Sequence, residues 1–136
     1  MQTFFHYYQK EITPQIEAID IFLKTEAQPY NLKEVAGLLR LSEAELQKIR
    51  KDEGISTINT NQFFEMMRKG SSRFCRMLCR ELLCGGDRYT PKDIAYIYDL
   101  SIQDVEEAAK GQTVFLAKDL PKLYKNIKFD DKRCLF

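Results

Sequence analysis

The chain has 136 residues, 44% hydrophobic and 30% charged, with 21 Lys+Arg against 20 Asp+Glu for a net charge of +1. That is one globular domain of ordinary size, or two small units, able to bury a core without disulfide or metal staples. The near-neutral balance excludes nucleic-acid binding by bulk charge and leaves only local basic patches as candidates. No run of about 18 apolar residues exists to span a membrane. The N-terminus lacks the basic start and apolar core of a signal peptide, so a soluble, cytoplasmic protein is expected.

Residues 1–29 form an N-terminal extension. It opens on an aromatic cluster, Phe4, Phe5, Tyr7 and Tyr8, followed by Thr13-Pro14, which reads as a helix start. Ile16, Ile19, Phe22 and Leu23 then recur at helical spacing. The aromatics suit packing against the rest of the chain; the alternative is a homodimer face, since interfaces are rich in such rings.

Residues 30–70 carry two helix starts in quick succession. Asn31 with Glu34, and Ser42 with Glu45, are each a cap followed three residues later by an acid. Only Arg40-Leu41 separate the two helices, with Leu41 expected to point inward. Val35, Ala36 and Leu39 make the apolar face of the first helix, and Leu46 and Ile49 that of the second. Gly54 ends the second helix, Ile55–Ile58 read as a short strand, and Asn61–Met67 as a third helix.

Residues 71–86 predict a central helix capped by Ser71 or Ser72, with an apolar stripe of Phe74, Met77, Leu78 and Leu82, ended by Gly85-Gly86. Residues 89–128 then repeat the earlier pattern, and 129–136 are a tail. The stretches YNLKEVAGLLRLSEAELQK (30–48) and YTPKDIAYIYDLSIQDVEE (89–107) align without a gap at an offset of 59. Tyr30/Tyr89, Lys33/Lys92, Ala36/Ala95, Leu41/Leu100 and Ser42/Ser101 are identical. After a two-residue gap, Gly54–Ile58 matches Gly111–Phe115, and Asn61–Met67 matches Lys118–Tyr124. Thr90, Pro91 and Asp93 supply the cap, first helical position and acid of the second copy, and Ser101 with Asp104 those of its second helix.

Two short helices joined by so tight a turn form a helix-turn-helix unit. The order helix, turn, helix, glycine, strand, helix, carried by YTPKDIAYIYDLS and TVFLAKDLPKLYK, resembles the DNA-binding domains of the MerR and excisionase group, over about 40 residues per copy. The resemblance implies an all-α fold of two tandem helix-turn-helix repeats, each with a short strand or wing, completed around one core by the N-terminal and central helices. It also implies double-stranded DNA as partner and a role in transcription regulation. Arginines are usual in the wing of that group; Thr57–Asn61 and Thr113–Ala117 hold none.

Candidate DNA contacts are Gln47, Lys48, Arg50 and Lys51 on the second helix of copy one. A second group is Arg68, Lys69, Arg73, Arg76 and Arg80, the last three on one helical face where they can meet phosphates. The corresponding helix of copy two carries Asp104, Glu106 and Glu107, which repel DNA. At most one copy is therefore expected to read a groove. A protein-protein interaction module that keeps the fold without reading DNA is the alternative.

Cys75, Cys79, Cys84 and Cys134 lack the spacing of a zinc or iron–sulfur site and are read as small apolar residues, with metal or redox sensing as the alternative. His6, the lone histidine, has no nucleophile or acid at motif spacing, and Gly85-Gly86 lacks the residues of a phosphate loop. Nothing makes a positive case for an enzyme or a cofactor.

Overall fold

The computed structural model describes residues 2–130. The protein is mainly helical with a few two-residue strands. It divides into two compact units, each with its own buried side chains, where the sequence suggested one common core. One comprises Gln15–Cys79, and the other joins residues 2–14 to 80–130. The N-terminal extension and the central helix are thus each divided between units rather than standing as segments of their own.

The unit of Gln15–Cys79 holds α2 (Thr13–Thr25) from Gln15 on, α3 (Leu32–Leu39), α4 (Glu43–Asp52), α5 (Thr60–Lys69) and α6 (Arg73–Cys84) as far as Cys79. Asn31 Oδ1 caps α3 by accepting from the backbone N–H of Lys33 and Glu34, at 2.9 and 3.3 Å. Ser42 caps α4 through Glu45 N, 3.1 Å. The Glu45 carboxylate does not close a capping box; it accepts from Ser71 N (2.8 Å) and Ser71 Oγ (2.7 Å), tying the chain ahead of α6 to α4. Val35, Ala36, Leu39, Leu46 and Ile49 are all buried, as their spacing predicts. Phe22 of α2 packs on Tyr30 and Phe63, with ring centroids 4.7 and 6.3 Å apart.

The other unit holds β1 (Gln2–Thr3), α1 (Phe4–Tyr7), a π-helical turn (Tyr8–Ile12), the end of α6, β2 (Arg88–Tyr89), α7 (Pro91–Tyr98), α8 (Ile102–Ala109), β3 (Phe115–Leu116), a 3-10 turn (Ala117–Asp119), α9 (Leu120–Tyr124) and β4 (Lys128–Phe129). Here the capping box is complete: Asp93 N donates to Thr90 Oγ1 (3.2 Å) and Thr90 N to Asp93 Oδ2 (2.9 Å), with Pro91 following. The N-terminal aromatics pack inside this unit. Phe4 is fully buried, its ring 5.0 Å from Tyr98, 5.0 Å from Tyr124 and 5.5 Å from Phe129. Antiparallel pairing of β1 with β4 fixes the segment in place.

The two repeats share their backbone devices. Arg40 (φ 58°) and Asp99 (φ 53°) both end a first helix in the left-handed region. Leu41 N donates to Ala36 O at 3.0 Å, and Leu100 N to Ala95 O at 2.9 Å. Both leucines are buried, as expected. Gly54 (φ 66°) and Gly111 (φ 87°) turn the chain after the second helices.

Four expectations are corrected. Thr13-Pro14 is no helix start: the helix runs through from Phe4. Pro14 has no N–H and its ring crowds the carbonyl four residues back, and the backbone answers with the π turn, in which Thr13 N reaches Tyr8 O. A short strand after the glycine forms in copy two, where Tyr89 pairs with Phe115 and Arg88 with Leu116. In copy one a single bond, Tyr30 N to Ile58 O at 2.7 Å, stands in its place. Pro29 sits where Arg88 does in copy two and has no N–H to extend the ladder. The third helix of copy two is short, since Pro121 marks the start of α9 and a 3-10 turn precedes it. Finally, Leu82 is 66% exposed. Its expected inward place goes to Glu81, whose carboxylate accepts from Tyr89 Oη at 2.6 Å.

Candidate functional site

Helix α4 presents the first group of candidates. Gln47, Lys48 and Lys51 are exposed. Arg50 is half-buried and turns back on its own chain: Nε donates to Ile55 O at 3.1 Å and Nη2 to Ser56 O. A recess of about 390 Å³ lined by Gln47, Arg50, Lys51, Gly54, Ile55 and Ser56 lies at this place. Arg50 is therefore a latch between the end of α4 and the loop after Gly54. Its planar fork suits two carbonyls, and the ordering of that loop follows from it.

The second group is largely committed. Arg68 pairs with Glu65 on the same helix, and Lys69 Nζ lies 3.7 Å from Glu53. Arg80 donates to Asp99 Oδ1 (2.6 Å) and Tyr96 O (2.8 Å), and its guanidinium lies 4.5 Å from the centre of the Tyr96 ring. The Asp99 bond, outweighing some burial, holds Arg80 above its already high pKa. Its partner is thus Asp99, not the neighbouring Glu81. Arg73 is exposed and also engaged within the chain. Arg76 is exposed. Of the nine candidates, Gln47, Lys48, Lys51 and Arg76 present exposed polar ends that no described ion pair uses.

Helix α8 has the opposite character. Ile102 is 37% exposed, and Gln103, Asp104, Glu106 and Glu107 are exposed beside it. Ser101 caps it through Asp104 N at 3.4 Å, and Asp104 in the first turn complements the helix dipole.

The thiols are held in their neutral form. Cys75 is fully buried, donates to Leu39 O at 3.4 Å, and has its pKa pushed up to about 11 by burial, against a weaker lowering by Ser72. Cys79 faces Met67 O at 3.8 Å and is raised by burial despite nearby Arg68. Cys84 is raised by burial and then by Asp93 and Glu81. A thiol so raised is a slow nucleophile. Among the described residues no three metal-ligating side chains come together; Cys134 lies outside the described residues. His6 is exposed at the start of α1.

Two features escaped the sequence. One is the Arg50 latch, which spacing alone reads as a solvent-facing arginine. The other is a packed tyrosine group, half-buried Tyr8 with buried Tyr98 and Tyr124, whose ring centroids lie 5.2 to 6.0 Å apart. Burial, the largest cause, raises all three hydroxyls, that of Tyr98 and Tyr124 well above the usual range.

No helix among the described residues is long and apolar enough to cross a membrane. Compared with known proteins, the chain matches no family model, no curated protein and no solved structure.

Proposed function

We propose that the chain is a protein-protein interaction module that keeps two helix-turn-helix pairs without reading DNA through them. The observation that carries this reading is the commitment of its basic side chains to the chain itself. Arg50 is latched to its own loop, and Arg68, Lys69 and Arg80 are matched to Glu65, Glu53 and Asp99. A phosphate contact would have to displace these partners, whereas DNA binding draws its affinity from cations free to replace counterions. The second helix of copy two offers DNA only like charge, while its acids beside exposed Ile102 suit a basic, partly apolar partner surface.

A second reading keeps DNA as the partner, in a small transcription-associated protein. It rests on α4, where Gln47, Lys48 and Lys51 are exposed on one helix, and Arg76 would add a backbone contact. Titration of mixed duplex DNA at low salt separates the two. The interaction-module reading expects no saturable binding. The DNA reading expects binding that weakens steeply with salt, by about 0.9 log units per log unit for each phosphate contacted, and that Lys48→Ala with Lys51→Ala abolishes. A homodimer through the N-terminal aromatics would have to use the half-buried Phe5 and Tyr8, since Phe4 and Tyr7 are buried within the chain. Free thiols at Cys75, Cys79 and Cys84 agree with a reducing, cytoplasmic setting. No catalytic residue is assigned.

A further inference from the structure

The internal repeat places a recess behind each second helix, of about 390 Å³ in copy one and about 450 Å³ in copy two, and an arginine lines the first of them. In copy one, Ile55 N donates to Arg50 O at 2.9 Å, closing the helix end, and the Arg50 side chain lies over the loop with its guanidinium on the carbonyls of Ile55 and Ser56. In copy two the equivalent closing bond is Gln112 N to Ala109 O, 3.0 Å, with the connection two residues shorter. By the alignment Ala109 stands for Arg50, Glu106 for Gln47, Gly111 for Gly54, and Gln112 and Thr113 for Ile55 and Ser56. A recess of about 450 Å³ is lined by these same five residues together with Thr90, Pro91 and Lys92. The alanine carries no side chain long enough to reach the loop, as Arg50 does in copy one.

We propose that this recess of copy two is a docking site for an arginine side chain of a partner protein. The proposal rests on the interaction-module reading and names the chemistry its partner must bring. The twin site shows what such a recess accepts: a flat guanidinium against successive loop carbonyls, with the alkyl stem along the helix. Two changes between the copies favour a guanidinium from outside. Arg50 becomes Ala109, which takes the chain's own guanidinium away, and neutral Gln47 becomes Glu106, which adds a carboxylate able to take a guanidinium edge. Asp104 and Glu107 on the same helix strengthen the field, and Lys92 at the rim opposes it. Arginine is preferred over lysine because a fork meets several acceptors at once and a point charge does not.

The test is titration of the full chain, observed by amide NMR, with acetyl-arginine amide and, separately, acetyl-lysine amide. The expected result is saturable shifts at Ala109 and residues 111–114 with the arginine probe, with a dissociation constant on the order of millimolar for so small a ligand, and at least about fivefold weaker response to lysine. Ala109→Arg is expected to abolish those shifts by placing its own guanidinium on the loop carbonyls, as Arg50 does in copy one. Glu106→Gln, an exposed isosteric change, is expected to weaken binding about threefold or more, and carries the test should the bulkier variant fail to fold. Absence of localised shifts, an equal response to lysine, or undiminished binding by Glu106→Gln overturns the proposal. Failure here with no DNA binding leaves the module reading standing without this site, whereas salt-dependent DNA binding removes that reading itself.

Discussion

Arg50 and Lys48 lie two residues apart on α4, and a scan for basic residues treats them alike. Their surroundings separate them. Arg50 is half-buried with two backbone carbonyls as acceptors, and Lys48 is exposed. Arg50→Ala is expected to destabilise the protein by about 1–2 kcal/mol, the range for a hydrogen-bonded charged group partly open to water, and Lys48→Ala by less than about 0.5 kcal/mol. Urea unfolding of the two variants beside the wild type checks this; equal effects would refute the latch. A second residue-scale expectation concerns Cys75. Its thiol ionises near 9.0 when unfolded and only at about 11 when folded, because burial disfavours the thiolate. A raised folded value means the unfolded chain loses its proton first, so stability is fully present below 9.0 and declines as pH rises toward 11. Tyr98 and Tyr124 add to the same alkaline loss from 10.0 upward. Unfolding midpoints followed across this window should fall, and Cys75→Ala should reduce the part that begins at 9.0, where Cys79 and Cys84 still contribute, while leaving the tyrosine part.

At the scale of elements, the helices were legible because their signals are local. The Asn31, Ser42, Thr90 and Ser101 caps, the apolar faces and the two inward leucines all follow from spacings of three and four residues. What failed to show was decided by single residues acting at a distance or against the pattern. Pro14 reads as a start signal only when the helix ahead of it is unseen. Pro29 removes a strand whose β-branched residues are all present. Glu45 abandons its own cap for Ser71, a partner 26 residues away. The site was legible to the same degree: Gln47, Lys48, Lys51 and Arg76 were recovered as exposed polar residues, and Glu65 stands at helical spacing from Arg68, while the acids that take Lys69 and Arg80 lie far along the chain and could not be assigned from spacing. The turns give a further check. Lys110 holds φ at 52° just ahead of Gly111 at 87°, a left-handed conformation that costs a side chain energy and glycine little. Lys110→Gly should therefore raise stability, or leave it unchanged, by up to about 1 kcal/mol, and Gly111→Ala should lower it by about as much. Thermal melts of both variants test this, and a marked loss on Lys110→Gly would show that the lysine side chain has a role the turn does not explain.

On the scale of the whole molecule, charge is what separates the candidate roles. A net charge of +1 leaves no surplus of cations for a polyanion, and the arginines that would have made a local patch are matched largely within the chain. The two helix pairs share one backbone plan but differ in surface: α4 mixes Lys48, Arg50 and Lys51 with Glu43, Glu45 and Asp52, whereas α8 carries acids and no basic residue. One surface cannot serve the ligand of the other, and DNA suits α4 alone. The most direct measurement is fluorescence anisotropy of a labelled mixed-sequence duplex titrated with the full chain across a salt series. The account predicts no saturable rise even at the lowest salt. Saturable binding with a steep salt dependence, lost when Lys48 and Lys51 are both replaced by alanine, would contradict it.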